Sequence, residues 1–276
     1  MIKTHYNDGK KHVHVISYGA GTQSTALLLY ALEHGIKGVK PDYAIFADTG
    51  WEPAHVYEWL ECIRKYVKEK YDFEIIVTSN GNIKKDIIAG KDGKRFASLP
   101  FYTMDKNGNK GMVRRQCTME YKILPIQKKI RELLGYKPKE RVNEIVHIWK
   151  GISIDEIQRV KPSNVNWQVH EHPLVDVLEW DRSKCIEYVQ GFGLGTPPQS
   201  ACIGCPFRNN DNWRTMKIHY PEEFEDAVKI DKLIRELPRF NNSLFLHPSC
   251  RPLDEVDFNE NQLDLFTMEC DGFCGI

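Results

Sequence analysis

The chain has 276 residues, 38 of them basic and 38 acidic, and 41% are hydrophobic. This composition is that of an ordinary globular protein, and the balanced charge excludes a chain that is polybasic or polyacidic overall. No apolar run approaches the ~20 residues that cross a bilayer, so no membrane partner is expected. The polar start and the eight cysteines predict a cytoplasmic location, where thiols serve metal or redox chemistry rather than disulfides.

The first predicted elements are a strand over residues 12–17 and a helix over residues 24–34, joined by a glycine-rich turn. The β-branched residues of the first segment favour the strand. Gly19 and Gly21 allow the backbone to turn sharply and to approach a ligand closely. The hydroxyls of Thr22 and Ser24 and the first helical N–H groups would then face an anion at the positive end of the helix dipole. The pattern predicts a phosphate site, with an ordinary turn as the alternative.

Strand and helix signals continue to alternate along the chain. Further strands are predicted over 43–47, 74–78 and 144–150, and further helices over 52–70, 119–134, 181–190 and 222–237. Such alternation predicts an α/β fold with a parallel twisted sheet and helices on both faces. The polar turns 17–24, 48–50 and 79–82 would then meet beyond the carboxyl ends of the strands.

Two other segments complete the predicted organisation. Residues 91–111 are rich in Gly, Lys, Asp and Asn, which predicts a long mobile loop. Residues 1–215 are expected to form the main domain, and residues 216–276 a C-terminal helix and an irregular, cysteine-containing tail packed on it. The segment 91–122 is strongly basic, which suits either a polyanionic substrate or a solvated loop.

An ordered series of sequence blocks resembles a known family, the adenine nucleotide alpha-hydrolase superfamily of PP-loop ATP pyrophosphatases. The branch is that of phosphoadenylyl-sulfate reductase, and the resemblance is nearest to the ATP pyrophosphatases of DNA phosphorothioation systems. The blocks, over residues 12–210, are the turn 17–24, Asp48-Thr49-Gly50 with Glu52-Pro53, Arg114 to Cys117 followed by Tyr121-Lys122-Ile123, Gly151-Ile152-Ser153, and Cys202 to Pro206. The chain departs from the family pattern at Gly19, Gln23 and Ser153, where the family has Ser, Asp and Arg.

The resemblance implies a Rossmann-like fold and an ATP site. The residues that it assigns to ATP are Ser17, Gly19, Ala20, Gly21, Thr22, Gln23, Ser24, Asp48, Thr49, Gly50 and Gly151. Asp48 would hold Mg²⁺, since this ion prefers a carboxylate together with phosphate oxygens. The alternative role of Asp48 is to cap the helix that opens near residue 52. Catalytic roles are assigned to Asp48, Ser24, Arg115 and Cys274.

Four cysteines are candidate metal ligands. Cys202 and Cys205 form a Cys-x-x-Cys turn, a spacing that is typical of metal or redox sites. Cys117 lies in the block that carries cluster ligands in related reductases, and Cys250 is the candidate fourth ligand. Thiolates suit a [4Fe-4S] cluster or Zn²⁺, and free thiols remain the third possibility.

The other cysteines receive different predictions. Cys62 and Cys185 are expected at buried helix positions as small hydrophobic side chains. Cys274 lies in an acidic tail, where a mobile thiol would carry or attack sulfur, or where the terminus is simply disordered.

Together these features predict an ATP pyrophosphatase that adenylates a nucleic-acid acceptor, with release of pyrophosphate, before a sulfur nucleophile displaces AMP. The expected acceptor is DNA, with tRNA as the alternative, and the sulfur donor is a cysteine desulfurase or another carrier. The basic segment would guide the nucleic acid. Two alternatives remain open: a sulfonucleotide reductase that uses Cys274, and a nucleotide-binding regulatory subunit without turnover. The sequence specifies no oligomeric state.

Overall fold

The computed structural model describes residues 6–94 and 96–259, which contain two β-sheets. Their strands are β1 (His12–Tyr18), β2 (Tyr43–Asp48), β3 (Ile75–Ser79), β4 (Tyr102–Met104), β5 (Lys110–Met112), β6 (Ile145–Lys150), β7 (Gln168–Glu171) and β8 (Ser243–Phe245). The larger sheet has the order β3-β2-β1-β6-β7, and all of its neighbouring strands are parallel. The carboxyl ends of β1, β2 and β6 therefore lie side by side at one edge of the sheet.

The α-helices of the described residues follow the strands in the expected alternation. They are α1 (Thr22–His34), α2 (Ala54–Tyr71), α3 (Ile83–Ala89), α4 (Leu124–Leu133), α5 (Pro173–Asp176), α6 (Arg182–Gln190), α7 (Asn210–His219) and α8 (Pro221–Ile234). In the part of the chain that the structure describes, no helix is both long and apolar enough to cross a membrane.

The alternating side chains of β1 show how the large sheet is covered on both faces. Ile16 and Tyr18 belong to a core cluster that includes the buried face of α1 and residues of α2 and α6. Val13 and Val15 belong to a second cluster, with residues of α4. Because successive strand residues point to opposite faces, each face buries its own set of apolar side chains. The predicted α/β fold with helices on both faces is confirmed.

A π-helical turn, Met119–Ile123, precedes α4 directly. The sequence predicted one continuous helix over this region, and the difference has a local cause. Pro125 has no N–H, so the carbonyl of Tyr121 lacks the donor that an α-helix would supply four residues later. The turn widens there, and Tyr121 and Lys122 are both buried within it.

The predicted mobile loop over 91–111 is wrong for its second half, which contains an antiparallel hairpin. Strands β4 and β5 pair with each other, and β4 also pairs with β8 from the far end of the chain. Asp105 shapes the turn of the hairpin, because its Oδ1 accepts the N–H groups of Asn107 and Asn109, each at 2.8 Å. This small sheet borders a third core cluster that includes Trp51, Tyr121 and Trp213.

The predicted boundary at residue 215 falls inside α7, so a division there would cut a helix. The helix after it, α8, contributes Phe224, Ala227 and Ile230 to the same core cluster as Trp51. Helix α8 is thus packed against residues from the first quarter of the chain.

Candidate functional site

The glycine-rich loop between β1 and α1 is closed by one serine side chain. The Oγ of Ser24 accepts the N–H of Gly19 at 3.2 Å and the N–H of Gly21 at 3.3 Å. Ala20, between them, has a φ of +56°, a left-handed conformation that disfavours any residue with a Cβ. The sequence assigned the sharp turn to the two glycines, but the left-handed residue is the alanine.

Two hydroxyl groups beside this loop are buried without a hydrogen-bond partner among the described residues. They are the Oγ of Ser17, at the end of β1, and the Oγ1 of Thr22, in the first turn of α1. Both side chains are almost fully buried. Buried polar atoms are normally paired, so these two are suited to a polar ligand at the amino end of α1.

Gln23 connects the loop to the turn that follows β6. Its Nε2 donates to the Oγ of Ser153 at 3.3 Å and to Oε2 of Glu156 at 3.1 Å. Burial raises the pKa of Glu156, although Arg159 is paired with its carboxylate. An acidic residue at position 23 would place a second carboxylate against that of Glu156, and the two would repel each other. The amide of Gln23 avoids this repulsion and donates a hydrogen bond instead.

Gly151 brings the same turn against the backbone of α1. A Cβ at this position would lie 2.6 Å from the N and 2.7 Å from the Cα of Ser24. Only glycine fits such a close approach between two backbones. Gly151, which the sequence assigned to the ATP site, is therefore in contact with the loop of Gly19 to Ser24.

Asp48 ends β2 at the same edge of the sheet. Its Oδ1 accepts the N–H of Gly50 and the hydroxyl of Tyr57, both at 2.7 Å. The residue that caps α2 is Pro53, without a side-chain hydrogen bond, so the alternative role of Asp48 as a helix cap is wrong. The half-buried carboxylate keeps Oδ2 outside these hydrogen bonds, which suits a cation bound beside a phosphate.

Next to Asp48, a buried polar network joins this edge to the Cys-x-x-Cys turn. The hydroxyl of Thr49 lies 3.3 Å from the Sγ of Cys202 and donates to Oε1 of Glu52 at 3.0 Å. The Sγ of Cys202 donates to the same Oε1 at 3.3 Å, and the Nζ of Lys122 lies 3.8 Å from it. Sequence reasoning quoted Glu52 and Lys122 within the family blocks but gave neither a role.

The Cys-x-x-Cys turn is fixed by backbone contacts on both sides. The N–H of Ile203 donates to the carbonyl of Trp51 at 2.9 Å. Gly204 lies on the ring of Trp51, where a Cβ would come within 2.2 Å of a ring carbon. The guanidinium of Arg208 donates to the carbonyls of Ala201 and Cys202. Burial lowers the pKa of Arg208, and the nearby thiols and carboxylates oppose that shift.

Three of the predicted metal ligands, Cys117, Cys202 and Cys205, line one cavity together with Arg115, whose guanidinium lies 5.1 Å from the ring of Phe207. The cavity measures about 20 Å³, room for about one water molecule. Within residues 6–94 and 96–259, no three His, Cys, Asp or Glu side chains form a group that could hold a metal ion. The three cysteines therefore lie around one small cavity, and a metal bound to them stays a prediction.

The fourth predicted ligand, Cys250, does not line that cavity. Its Sγ lies 3.8 Å from the carbonyl oxygen of Thr103 in β4, and burial raises the pKa of the thiol. Tyr102 is within electrostatic range of both Cys205 and Cys250, and its pKa is raised to about 12, mainly by burial. The structure thus groups three of the four predicted ligands, with Cys250 in a separate position.

The remaining cysteines differ from one another. Cys185 is fully buried, as predicted, within the core cluster of α1 and α6. The prediction for Cys62 is wrong, because this side chain is exposed on α2 and lines a separate cavity. Cys274 lies outside the described residues.

The basic segment does not form one continuous charged surface. Lys91 pairs with Glu236 at 2.9 Å, Lys110 donates to the carbonyl of Ser249 at 3.0 Å, and Lys122 is buried. Lys91, which is paired, and Lys122, which is buried, therefore contribute little to the attraction of a polyanion, whereas the exposed Lys110 keeps its charge because a carbonyl does not neutralise it. The exposed basic residues described in this segment include Lys94, Lys106 and Arg114.

We expect the network around Glu52 to contribute strongly to stability. The Glu52→Gln variant keeps the shape of the side chain but removes the charge beside the buried Lys122, at an expected cost of about 2–4 kcal/mol in the free energy of unfolding. Urea denaturation measures this loss. The control is Glu69→Gln, because Glu69 forms an exposed pair with Lys65 and its loss should change stability by less than about 0.5 kcal/mol. Equal losses in the free energy of unfolding for the two variants would contradict the stabilising role of the network around Glu52.

Two histidines at the end of β7 are expected to make stability depend on pH. Burial, followed by the charge of Lys150, lowers the pKa of His170 and of His172 to about 4, from an ordinary value of 6.5. Between these values the unfolded chain binds more protons than the folded one, so stability falls as the pH falls from 6.5 towards 4. Each histidine contributes up to about 1.4 kcal/mol per pH unit.

Urea midpoints measured at pH 7 and pH 5 test this expectation. The His172→Asn variant should lose roughly half of the slope that the two histidines supply. An unchanged slope in that variant would show that other groups cause the pH dependence.

Comparisons with known proteins give little further information. No family model matches the sequence, and no curated protein matches it. Among solved structures, the chain is similar to the U34-tRNA thiolase NcsA from Methanococcus maripaludis, determined with its [4Fe-4S] cluster. The identity is 13% and the TM-score 0.34, over 81% of this chain and 71% of that chain. The fold and the site described above rest on the contacts within this chain and not on that likeness.

Proposed function

We propose that the chain is an ATP pyrophosphatase of the PP-loop type that activates an acceptor for sulfur transfer. The observation that carries the proposal is the 3.3 Å contact between the Oγ1 of Thr49 and the Sγ of Cys202. Thr49 follows Asp48 at the strand edge that holds the glycine-rich loop, and Cys202 opens the thiol turn. A phosphate-type cradle and a set of thiols are therefore neighbours, as sulfur transfer to an adenylated acceptor requires.

The residues of the loop would bind and orient the triphosphate of ATP. The amino end of α1 and the unpartnered hydroxyls of Ser17 and Thr22 supply polar groups at the positive end of a helix dipole. Their contribution is to fix the α-phosphorus in line with an acceptor oxygen, which is the entropic part of catalysis. The network around Gln23 and Ser153 holds this loop against the turn after β6.

The proposed reaction consists of two substitution steps, each of which forms one bond and breaks another. The acceptor oxygen attacks the α-phosphorus, a new P–O bond forms, and the bond to the β-phosphate oxygen breaks, so that pyrophosphate leaves. A sulfur nucleophile from the donor then attacks the activated acceptor atom, and AMP leaves with the acceptor oxygen. Arg115, beside the thiol cavity, is the candidate cation for the charge on the leaving groups.

Mg²⁺ is the cofactor that ATP carries, and the carboxylate of Asp48 would hold it. The ion would neutralise phosphate charge at this edge. The hydrogen bonds from Gly50 and Tyr57 orient the carboxylate, and burial together with the charge of Asp48 raises the pKa of Tyr57, so that its hydroxyl remains a donor. Asp48 therefore acts here as a positioned ligand.

The metal on the cysteines stays a prediction, tested by analysis of the protein purified without oxygen. Iron and acid-labile sulfide that disappear in the Cys202→Ser variant would support a [4Fe-4S] cluster, and zinc alone would support the alternative. Protein without either metal would leave Cys117, Cys202 and Cys205 as thiols for sulfur transfer.

Pyrophosphate release tests the proposal. Purified protein is incubated with ATP and Mg²⁺ alone, with single-stranded or duplex DNA, and with tRNA, and pyrophosphate is separated from phosphate. We expect acceptor-dependent pyrophosphate, lost in Asp48→Asn and retained in Cys202→Ser, because only the first residue serves the activation step. ATP binding without pyrophosphate in any sample would contradict the proposal and favour a nucleotide-binding subunit without turnover.

The acceptor is proposed to be a nucleic acid, with DNA phosphorothioation as the first candidate and tRNA thiolation as the second. Mass spectrometry of DNA and RNA from cells with and without the chain distinguishes the two candidates, because only the true acceptor loses sulfur when the chain is absent. The same measurement in cells that lack a cysteine desulfurase identifies the donor. Sulfur unchanged in both nucleic acids would contradict the proposed acceptor class.

A further inference from the structure

A second cavity lies between α2, α7 and the segment 194–199, outside the nucleotide edge. It measures about 540 Å³, within the size range of small-molecule sites. None of the residues assigned to ATP or to the metal lines it, whereas the exposed Cys62 does. No function described so far uses this space.

Aromatic rings form much of one wall. The ring of His55 lies 4.8 Å from that of Tyr220, with 33° between their planes, so the two rings overlap partly face to face and form an aromatic pair. Trp59 lines the same cavity. Tyr220 is 37% exposed, which places part of its ring at the mouth of the cavity. Flat aromatic surfaces of this kind stack well with planar heterocycles.

The polar groups of the wall are balanced in charge. The charged residues are Glu58 and Arg208, one negative and one positive. Burial lowers the pKa of His55, which keeps its ring neutral at pH 7. The guanidinium of Arg208 already donates to the carbonyls of Ala201 and Cys202, so it is not arranged to clamp a phosphate. The side chain of Asn212 supplies an amide donor and acceptor.

Two side chains connect the cavity to the proposed active site. The indole N–H of Trp59 donates to Thr25, which lies one residue after Ser24 in α1, at 3.2 Å. Arg208 reaches from the cavity wall to the carbonyl of Cys202. A ligand in the cavity would thus contact residues that hold both the glycine-rich loop and the thiol turn.

From these features we propose that the cavity binds an unstacked nucleobase of the nucleic-acid strand on which the protein acts. Aromatic stacking, an amide for the base edge and a wall without net charge fit a neutral planar base better than an anion. The phosphates of the strand would remain outside the mouth, beside solvent. This inference rests on the proposed function, because the strand that it describes is the acceptor of that reaction.

Alkylation of Cys62 by iodoacetamide, followed by mass spectrometry of its peptide, reports the occupancy of the cavity. The probes are a short single-stranded oligonucleotide, an abasic strand of equal length, a free nucleoside, and ATP alone. We expect the base-containing strand to slow alkylation of Cys62, with no effect of the abasic strand, which carries the same charge. Protection by the free nucleoside at higher concentration would show that the base alone is recognised, and it supports the proposal.

Variants of Tyr220 provide the matched control. Tyr220→Leu removes the ring and should weaken binding of the strand about tenfold, because the stacking of one base on an aromatic ring raises the affinity by about this amount. Tyr220→Phe keeps the ring and should bind like the original protein, as should Ile218→Ala, which lies outside the cavity on α7. Equal alkylation of Cys62 in all unliganded variants shows that the cavity is intact.

Three results would overturn the proposal: equal protection by the abasic strand, protection by ATP but not by the free nucleoside, or no difference between Tyr220→Leu and Tyr220→Phe. The outcome is independent of catalysis, because pyrophosphate release is measured separately in the same samples. Protection of Cys62 without pyrophosphate contradicts the proposed reaction only, and pyrophosphate without protection contradicts the nucleobase site only.

Discussion

The Gly151→Ala variant is expected to lose ATP binding and to be markedly less stable. The new Cβ would lie 2.6 Å from the N and 2.7 Å from the Cα of Ser24, and neither backbone can turn away as a side chain would. Overpacking of this kind costs about 1–3 kcal/mol. Because the amino end of α1 must shift, the groups that face the triphosphate lose their alignment, and ATP affinity should fall at least about tenfold.

Calorimetry with ATP and urea denaturation measure the two effects of this variant. The matched control is Gly111→Ala in the exposed strand β5, where a Cβ would meet only the hydroxyl of Thr103. That control should bind ATP normally. If Gly151→Ala bound ATP as well as the control, the turn after β6 would not support the nucleotide site.

The Ser24→Ala variant is expected to weaken ATP binding about tenfold to a hundredfold. The Oγ of Ser24 is the acceptor for the N–H groups of both Gly19 and Gly21, and losing an acceptor for buried donors costs about 1–3 kcal/mol. Without it, the loop no longer has one defined conformation for the phosphates. Adding Gly21→Ala in the same chain should abolish binding.

The same calorimetric titration tests the serine, with Ser163→Ala as its control. Ser163 also accepts a backbone N–H in a turn, from Val165, but lies outside the proposed site. Its variant should bind ATP normally. Unchanged affinity in Ser24→Ala with Gly21→Ala would place the triphosphate away from the loop.

Much of the large sheet could be predicted because its signals are local. Strands β1, β2, β3 and β6 and helices α1, α2 and α6 were predicted within about two residues at each end, in agreement with the usual uncertainty of boundaries. The small sheet was missed for a physical reason. Its strands have three residues each, too short for an alternating pattern, and β4 depends on a partner at Ser243–Phe245.

The site was predicted where a turn has its own sequence signature and missed where burial decides the chemistry. The glycine-rich loop, Asp48 and the Cys-x-x-Cys turn were found in this way. Glu52 and Lys122 look like ordinary surface charges in the sequence, and only tertiary packing buries them beside Cys202. The exposure of Cys62 likewise depends on which face of α2 packs inward.

The pairing of β4 with β8 sets an order of events during synthesis on the ribosome. The five strands of the large sheet and the glycine-rich loop are available once residue 171 has emerged, whereas the pairing of β4 with Ser243–Phe245 must wait for the end of the described chain. Such long-range closure is slow compared with local pairing. A nascent chain would therefore acquire the glycine-rich loop well before the Cys-x-x-Cys turn and the complete small sheet, and premature termination after α6 would leave a fragment with the loop alone.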